Sequence, residues 1–171
     1  DTTNAIEYSE MIQEAMEKFG PIENFIAHSF GGISLSLALE QVPHTGNTKI
    51  VFIAPATETT SAVDGAFKML KLKNEKVRNE IEKIIFNQTG KNVAWFSIKR
   101  AMNNIKASIL WVHDEEDDIT PWADEKKVKE VLISYVKRCV KARFEYVQTI
   151  GYYILKDGMS NFATDYENYE N

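Results

Sequence analysis

A serine flanked by small residues lies between a strand pattern and a helix pattern near the start of the chain. In Ala27-His28-Ser29-Phe30-Gly31, the serine has alanine two residues before it and glycine two residues after it. We expect so tight a turn at Ser29 that a larger side chain at Ala27 or Gly31 would clash with the backbone. This nucleophile elbow exposes the serine hydroxyl beside a helix N-terminus, where N–H groups stabilise developing negative charge. The pattern predicts Ser29 as a nucleophile and the Phe30 N–H as an oxyanion donor, unless Ser29 merely caps a helix in an ordinary turn.

A run of acidic residues forms the second candidate site. It covers residues 113–118 and reads His-Asp-Glu-Glu-Asp-Asp, directly after an apolar, β-branched stretch at 108–112. A carboxylate at the end of a sheet strand can hold a histidine ring in the right tautomer and stabilise its imidazolium form. Binding of Ca²⁺ or Mg²⁺ is an alternative, although the run lacks the alternation and glycine of a calcium loop. A solvated acidic loop with no role is another.

The end of this acidic run resembles a known family. Asp117-Asp118-Ile119-Thr120-Pro121 is similar to the Asp-x-(Val/Ile)-x-Pro loop that often holds the triad acid of α/β-hydrolases. Together with the Ser29 turn, it makes the chain resemble a carboxylesterase-like serine hydrolase with a helical cap. The resemblance implies Asp117 as the triad acid, with Asp118 in reserve, and it implies neither a cofactor nor a metal.

The catalytic histidine of that family has no obvious counterpart. The chain has three histidines. His28 is next to Ser29 and is expected to face away from it, His44 lies in a loop, and His113 ends the strand before the acidic run. None follows the strand predicted at 143–148, where the triad histidine of the family belongs.

The residues after that strand suggest an explanation. In related sequences the loop reads Gly-x-Gly-His, followed by an Ile-Leu-(Lys/Arg)-Asp stretch. Residues 148–157 would match if three residues ending in histidine stood between Gly151 and Tyr152. We predict that the protein has such residues in a flexible loop; the alternative is a real deletion that leaves an inactive enzyme. The Tyr152 phenol is a poor general base near neutral pH.

Strand and helix patterns alternate along the chain, which predicts an α/β fold with a mostly parallel sheet flanked by helices. A helical block at 56–105 interrupts the alternation and is expected to be an inserted cap on a core formed by 1–55 and 106–171. The tail from residue 158 is polar and is expected to fray. The predicted strands are 24–27, 49–54, 108–112 and 143–148, and the predicted helices are 5–19, 33–39, 62–73, 75–88 and 92–104, with an apolar stripe over 128–139.

Large apolar side chains in the helical block could line an acyl pocket above Ser29. The alternative is that they only pack the cap helices against each other. The residues concerned are Phe67, Met69, Leu70, Trp95, Phe96 and Met102.

Composition excludes several classes of protein. Of the 171 residues, 20 are basic and 25 acidic, and the net charge of −5 predicts no binding to nucleic acid or anionic membranes. No apolar run approaches the roughly 18 residues of a membrane span, and no secretion signal is visible, so a cytoplasmic location is expected. The single cysteine, Cys139, is expected to be a small buried hydrophobe.

The resemblance implies hydrolysis of a small-molecule carboxylic ester through an acyl-enzyme at Ser29. A thioesterase, amidase or peptidase on the same fold would use the same parts, and a non-catalytic hydrolase-fold binding module is the alternative outside enzymology. The chain starts at Asp1, which suggests that early strands and the second oxyanion donor are missing. If the protein really begins there, its exposed sheet edge favours association, including a homo-oligomer.

Overall fold

One sheet organises the part of the chain that the structure describes. The structure is a computed structural model, and it describes residues 4–114, 117, 119, 120, 124, 128, 150–156 and 159–163. Its five strands lie side by side in chain order, four of them parallel and the fifth antiparallel to the fourth. They are β1 Asn24–His28, β2 Lys49–Ile53, β3 Ser108–Asp114, β4 Ile150–Lys156 and β5 Met159–Ala163.

Helices connect the first three parallel strands and one helix precedes β1, so the predicted α/β class with a mostly parallel sheet is confirmed. The helices are α1 Ala5–Phe19, α2 Phe30–Leu39, α3 Thr59–Met69, α4 Glu75–Thr89 and α5 Ile98–Ala101. A 3₁₀ turn at Val93–Trp95 precedes α5.

Helix α2 is the most deeply buried helix among the described residues. Every residue from Gly32 to Leu39 is buried, which agrees with the apolar stretch in the sequence. The hydroxyls of Ser34 and Ser36 donate hydrogen bonds to the carbonyls of Phe30 and Gly32, one turn earlier. Those bonds satisfy two polar groups that could not otherwise be buried at low cost.

The sheet buries one face against these helices. Alternate residues of β1, β2 and β3 point into a single core, as the period of two in a strand requires. Phe52 and Trp111 lie side by side in this core, with ring centroids 5.2 Å apart. The buried residues of this face are Ala27, Ile50, Phe52, Ile109, Trp111 and His113.

Capping residues explain why two helix predictions were close to the observed bounds. The Asn4 side chain accepts hydrogen bonds from the N–H groups of Ile6 and Glu7 at the start of α1. Asn74 caps α4 in the same way through the N–H of Lys76, and Gly90 ends that helix with a φ of 67°. Such caps are readable from sequence because they are local.

The helix predicted at 92–104 is wrong as a single element. The structure has a 3₁₀ turn and the four-residue α5 there instead. Two capping side chains divide the segment: Asn92 accepts from the N–H of Trp95, and Ser97 accepts from the N–H of Arg100. Each cap starts a new short helix, so the apolar periodicity does not continue through Ser97.

The loop predicted at 148–157 and the frayed tail predicted from 158 are also wrong where the structure describes them. Gly151 pairs with Leu110 and Tyr152 pairs with Trp111 inside β4, and Met159–Ala163 forms β5. Gly151 and Tyr152 are neighbours within β4, and the three residues ending in histidine that the sequence suggests between them stay a prediction. Isoleucine, leucine and tyrosine dominate β4, and such residues favour strands. The strand predicted at 143–148, the tail beyond 163, Cys139 and the apolar stripe apart from buried Val128 lie outside the described residues.

Candidate active site

Ser29 occupies a strained turn between β1 and α2. Its φ of 51° and ψ of −123° lie outside the regions that non-glycine residues usually adopt. Its N–H donates to the carbonyl of Ile53, at 3.1 Å, and its own carbonyl accepts from the N–H groups of Gly32 and Ala56, both at 2.9 Å. Three backbone hydrogen bonds thus fix a conformation that would otherwise relax. This is the tight strand-to-helix turn that the sequence predicts.

The hydroxyl of Ser29 does not act as a helix cap. Ser29 stands at the N-cap position of α2, yet its side chain makes no capping hydrogen bond. An ordinary capping serine accepts from an N–H of the first turn. The alternative of a capping serine in an ordinary turn therefore loses its main support, and the hydroxyl stays available for chemistry.

The close approach in this turn falls on Gly32, whereas the sequence analysis placed it on Gly31. A Cβ atom at Gly31 would meet nothing within 4 Å, so the expected clash there is wrong. A Cβ atom at Gly32 would lie 2.4 Å from the Cβ of Pro55. The reason is that Gly32 faces the buried side of α2, against the end of β2. The Gly31-Gly32 pair in the sequence was the available signal, but it does not show which glycine is the crowded one.

Phe30 begins α2 and presents its backbone N–H at the helix N-terminus. In the first turn of a helix, an N–H has no carbonyl one turn earlier to bond with. The N-terminus also carries a partial positive charge, which favours an oxyanion. The Phe30 ring is partly exposed and stacks on Tyr8 of α1, with 6.3 Å between centroids.

Asp117 is held by its own loop as a carboxylate. Its Oδ1 accepts from the N–H groups of Ile119, at 2.8 Å, and Thr120, at 2.9 Å. Its Oδ2 accepts from the Thr120 hydroxyl at 2.7 Å. Burial raises the pKa of Asp117, but the hydrogen bonds from Thr120 and Ile119, helped by nearby His113, bring this pKa below its ordinary value of 3.8. The carboxylate is therefore charged at neutral pH, and Asp118 lies outside the described residues.

His113 contacts the acidic loop at Thr120. It is buried at the end of β3, and its Nε2 lies 2.7 Å from the Thr120 carbonyl oxygen. Because a carbonyl only accepts, Nε2 must carry the proton and donate it. The same nitrogen lies 3.9 Å from Oδ2 of Asp117. With its proton donated to Thr120, this Nε2 is not available to take a proton from Ser29, and the bond ties the end of β3 to the loop that carries Asp117.

The other two histidines do not form a catalytic pair with Asp117. The Nδ1 of His44 lies 2.9 Å from the Val42 carbonyl, and its Nε2 accepts from the N–H of Lys106 at 2.7 Å. His44 therefore ties two loops together. His28 ends β1 and is exposed.

Sheet register places Ser29 and the Asp117 loop at the same end of the sheet. His28, Ile53 and Val112 are aligned across β1, β2 and β3, and the two candidate residues follow the carboxyl ends of the outer pair. Those two strand ends are two strand spacings, about 10 Å, apart. The structure thus brings both residues to one edge of the sheet without supplying the ring.

The expected acyl pocket is not formed as predicted. Phe96 and Met102 are buried in the main core, whereas Met69 and Leu70 point into solvent. Phe67 packs beside the guanidinium of Arg78, 5.3 Å from its ring centroid. The alternative of packing within the helical block holds for part of the set, and the six residues differ in burial from core to solvent.

The chain matches no family model and no curated protein sequence. Solved structures do match it. The acylaminoacyl peptidase of Pyrococcus horikoshii superposes with a TM-score of 0.56 over 89% of this chain, at 16% sequence identity. A puromycin hydrolase superposes with a TM-score of 0.51 over 86% of this chain, at 10% identity. Both are α/β-hydrolase fold proteins.

This chain has a partial α/β-hydrolase fold. The predicted resemblance in fold is therefore confirmed, on structural similarity alone. The chain spans 23% of the length of the peptidase and 20% of the length of the puromycin hydrolase. The activities of those proteins are therefore not transferred to this one.

Two further findings apply to the described residues only. None of the helices there is long and apolar enough to cross a membrane. No group of three or more potential metal ligands occurs among the same residues. The division into a core and a cap at 56–105 stays a prediction.

Proposed function

We propose that this chain carries the nucleophile and the triad acid of a serine hydrolase that cleaves carboxylic esters. The observation that carries the proposal is the strained backbone of Ser29, fixed by three hydrogen bonds at the carboxyl edge of a parallel sheet. Strain of this kind persists where the surrounding structure enforces it, and it clusters at active sites. The N-terminus of the buried helix α2 beside Ser29 is suited to an oxyanion.

In the proposed reaction, Ser29 Oγ attacks the ester carbonyl carbon while an imidazole oriented by Asp117 takes the serine proton, and a tetrahedral intermediate forms. The Phe30 N–H donates a hydrogen bond to the oxyanion, and collapse of the intermediate breaks the ester C–O bond, with the imidazolium giving its proton to the departing alcohol and an acyl-enzyme remaining. Water then gives a proton to the imidazole and attacks the acyl-enzyme, and the acid is released as the proton returns to Ser29 Oγ. Asp117 is the triad acid: as a carboxylate it would orient an imidazole and stabilise its protonated form.

A second candidate function follows from the histidines. His44 and His113 are engaged in backbone hydrogen bonds, and His28 is exposed at the end of β1. Without a general base the serine is a poor nucleophile, so a non-catalytic hydrolase-fold binding module is the alternative. A thioesterase, amidase or peptidase would use the same residues as an esterase, and only substrate trials separate these. A cytoplasmic location and a small acyl substrate stay predictions.

Chemical rescue of the missing base tests the proposal. Hydrolysis of p-nitrophenyl acetate is followed at increasing imidazole concentration for the wild type, Ser29→Ala and the control Ser61→Ala. We expect the wild type and Ser61→Ala to respond more steeply to imidazole than Ser29→Ala, because added imidazole takes the proton from Ser29. If all three respond equally, the chain is a non-catalytic module. A response only with thioester or amide substrates would replace the esterase with one of the related activities.

A further inference from the structure

The turn between α3 and α4 is an exposed, basic and apolar surface. Ten consecutive residues, 68–77, are exposed, and we call this stretch the α3–α4 tip. It contains four lysines and one glutamate, which gives it a net charge of +3 in a chain whose net charge is −5. The lysines are Lys68, Lys71, Lys73 and Lys76.

Apolar side chains alternate with these lysines. Met69 is 78% exposed and Leu70 is 65% exposed, and Leu72 and Val77 are each more than a third exposed. Exposed apolar side chains scattered singly are common in proteins, but four within nine residues form a patch that calls for a partner. Neither α3 nor α4 has a buried residue, so this patch does not close onto the core.

The backbone holds the tip in a defined shape. The N–H of Leu72 donates to the carbonyl of Phe67 at 2.9 Å, and the N–H of Lys71 donates to the carbonyl of Lys68 at 3.1 Å. This pair of bonds is the Schellman ending of a helix, in which glycine usually occupies the left-handed position. Here that position is Lys71, with a φ of 52°. A lysine thus replaces the conformationally easier glycine at the centre of the basic stretch.

The charge of the tip is not neutralised within the described structure. Among the described residues, no acidic group lies within 4.0 Å of any of the four lysine ammonium groups. By contrast, Arg78 and Lys83 further along α4 each pair with an acid on the same face of the molecule, Asp64 and Glu80 respectively. The lysines of the tip are therefore free to contact external negative charge.

We propose that the α3–α4 tip docks on an anionic lipid surface. Charge complementarity argues for this partner: lysines near a membrane are attracted to acidic headgroups, while neighbouring apolar side chains enter the boundary with the acyl chains. A protein partner fits less well, because lysine is depleted from protein–protein interfaces. The net charge of −5 for the whole chain predicted no binding to anionic membranes, because acidic residues elsewhere outweigh the lysines of the tip. The proposal does not depend on the hydrolase function.

Sedimentation with lipid vesicles tests the proposal on the full chain. Vesicles of phosphatidylcholine alone are compared with vesicles that also contain phosphatidylserine. We expect binding to the anionic vesicles only, falling as salt is added. Lys71→Gln with Lys73→Gln should weaken binding about 30-fold, given the usual contribution of a lysine at an anionic surface. Lys49→Gln with Lys106→Gln removes two exposed lysines elsewhere and should leave binding unchanged.

A second pair of variants tests the apolar contribution at constant charge. Leu70→Ser should weaken vesicle binding, whereas Ile84→Ser, on an exposed part of α4, should not. All of these positions are exposed, so thermal unfolding should be unchanged. Absence of binding to anionic vesicles, equal losses in the two lysine pairs, or binding that survives Leu70→Ser would each overturn the proposal. Binding to soluble polyglutamate without vesicle binding would overturn it in favour of an acidic protein.

Discussion

The Ser29 turn and the segment from α3 to α4 differ in burial and in backbone hydrogen bonding. Helix α2 buries eight consecutive residues behind Ser29, whereas α3 and α4 bury none. Three backbone hydrogen bonds fix Ser29: one joins it to Ile53 at the end of β2, one to Ala56 three residues later, and one to Gly32 of α2. The bonded, strained backbone therefore lies at the Ser29 turn, whereas the exposed apolar side chains lie on α3 and α4.

The two ends of the 56–105 segment are tied to the core even though its α3–α4 tip is exposed. The Arg100 guanidinium donates to both carboxylate oxygens of Glu40, whose side chain is 4% exposed, at 2.8 and 2.5 Å. Arg100 also lies 4.1 Å from the centroid of the Trp95 ring. Ser97 donates to Glu58 at 2.8 Å across the start of the segment. These contacts tie α5 to the end of α2, so the contrast with the core begins only at α3 and α4.

The largest expected difference between the two regions is in the cost of removing a phenyl ring. Phe52 is completely buried in the core, whereas Phe86 of α4 is 55% exposed. Phe52→Ala should lower the free energy of unfolding by about 3–5 kcal/mol, and Phe86→Ala by roughly 0.5 kcal/mol or less. Urea denaturation of both variants measures this. A similar decrease in unfolding free energy for the two variants would show that α4 is buried in solution, which would contradict the contrast between the two regions.

A smaller expected effect separates the two glycines after Ser29. Gly32→Ala places a methyl group against Pro55 and should cost about 1–3 kcal/mol. Gly31→Ala meets nothing within 4 Å and should be neutral or slightly stabilising, because alanine favours helices. Thermal unfolding of the matched pair measures the difference. A reversed order would mean that the turn at Ser29 is packed differently.

The smallest expected effect is the pH dependence contributed by Asp117. Burial opposes ionisation, but the hydrogen bonds from Thr120 and Ile119 lower the folded-state pKa below 3.8. The carboxylate therefore stabilises the fold by about 1 kcal/mol at neutral pH, and this contribution is lost as pH falls through the folded pKa. The wild type should exceed Asp117→Asn in unfolding free energy at neutral pH, and the gap should close below about pH 4. Glu14→Gln, at an exposed position of α1, serves as the control. A gap that is independent of pH would contradict the hydrogen bonding seen in the loop.

Local patterns in the sequence were sufficient for the Ser29 turn and for the caps of α1 and α4. They depend on side chains a few residues apart, such as Asn74 and the N–H of Lys76. Contacts distant in sequence were not predictable in the same way. The close approach to Gly32 depends on Pro55, 23 residues later. The exposure of Met69 depends on how α3 packs against residues distant in sequence.

The strands β4 and β5 were missed for a different reason. Resemblance to a family loop outweighed the strand-favouring residues between Ile150 and Leu155, which pair with β3 in the structure. Matching a motif with an assumed insertion was a weaker guide than the residue types themselves. The role of His113 was anticipated only in part: its position at the end of a buried strand was visible, but its bond to Thr120 was not.

The intact mass of the protein after treatment with a fluorophosphonate probe tests most directly whether Ser29 is a nucleophile. We expect a single adduct on the wild type that is lost in Ser29→Ala and kept in Ser61→Ala, because among the serines that the structure describes only Ser29 combines a strained, uncapped backbone position with a helix N-terminus. Imidazole should accelerate the labelling. Absence of an adduct with imidazole present, or an adduct that persists in Ser29→Ala, would contradict the assignment of Ser29 as the nucleophile.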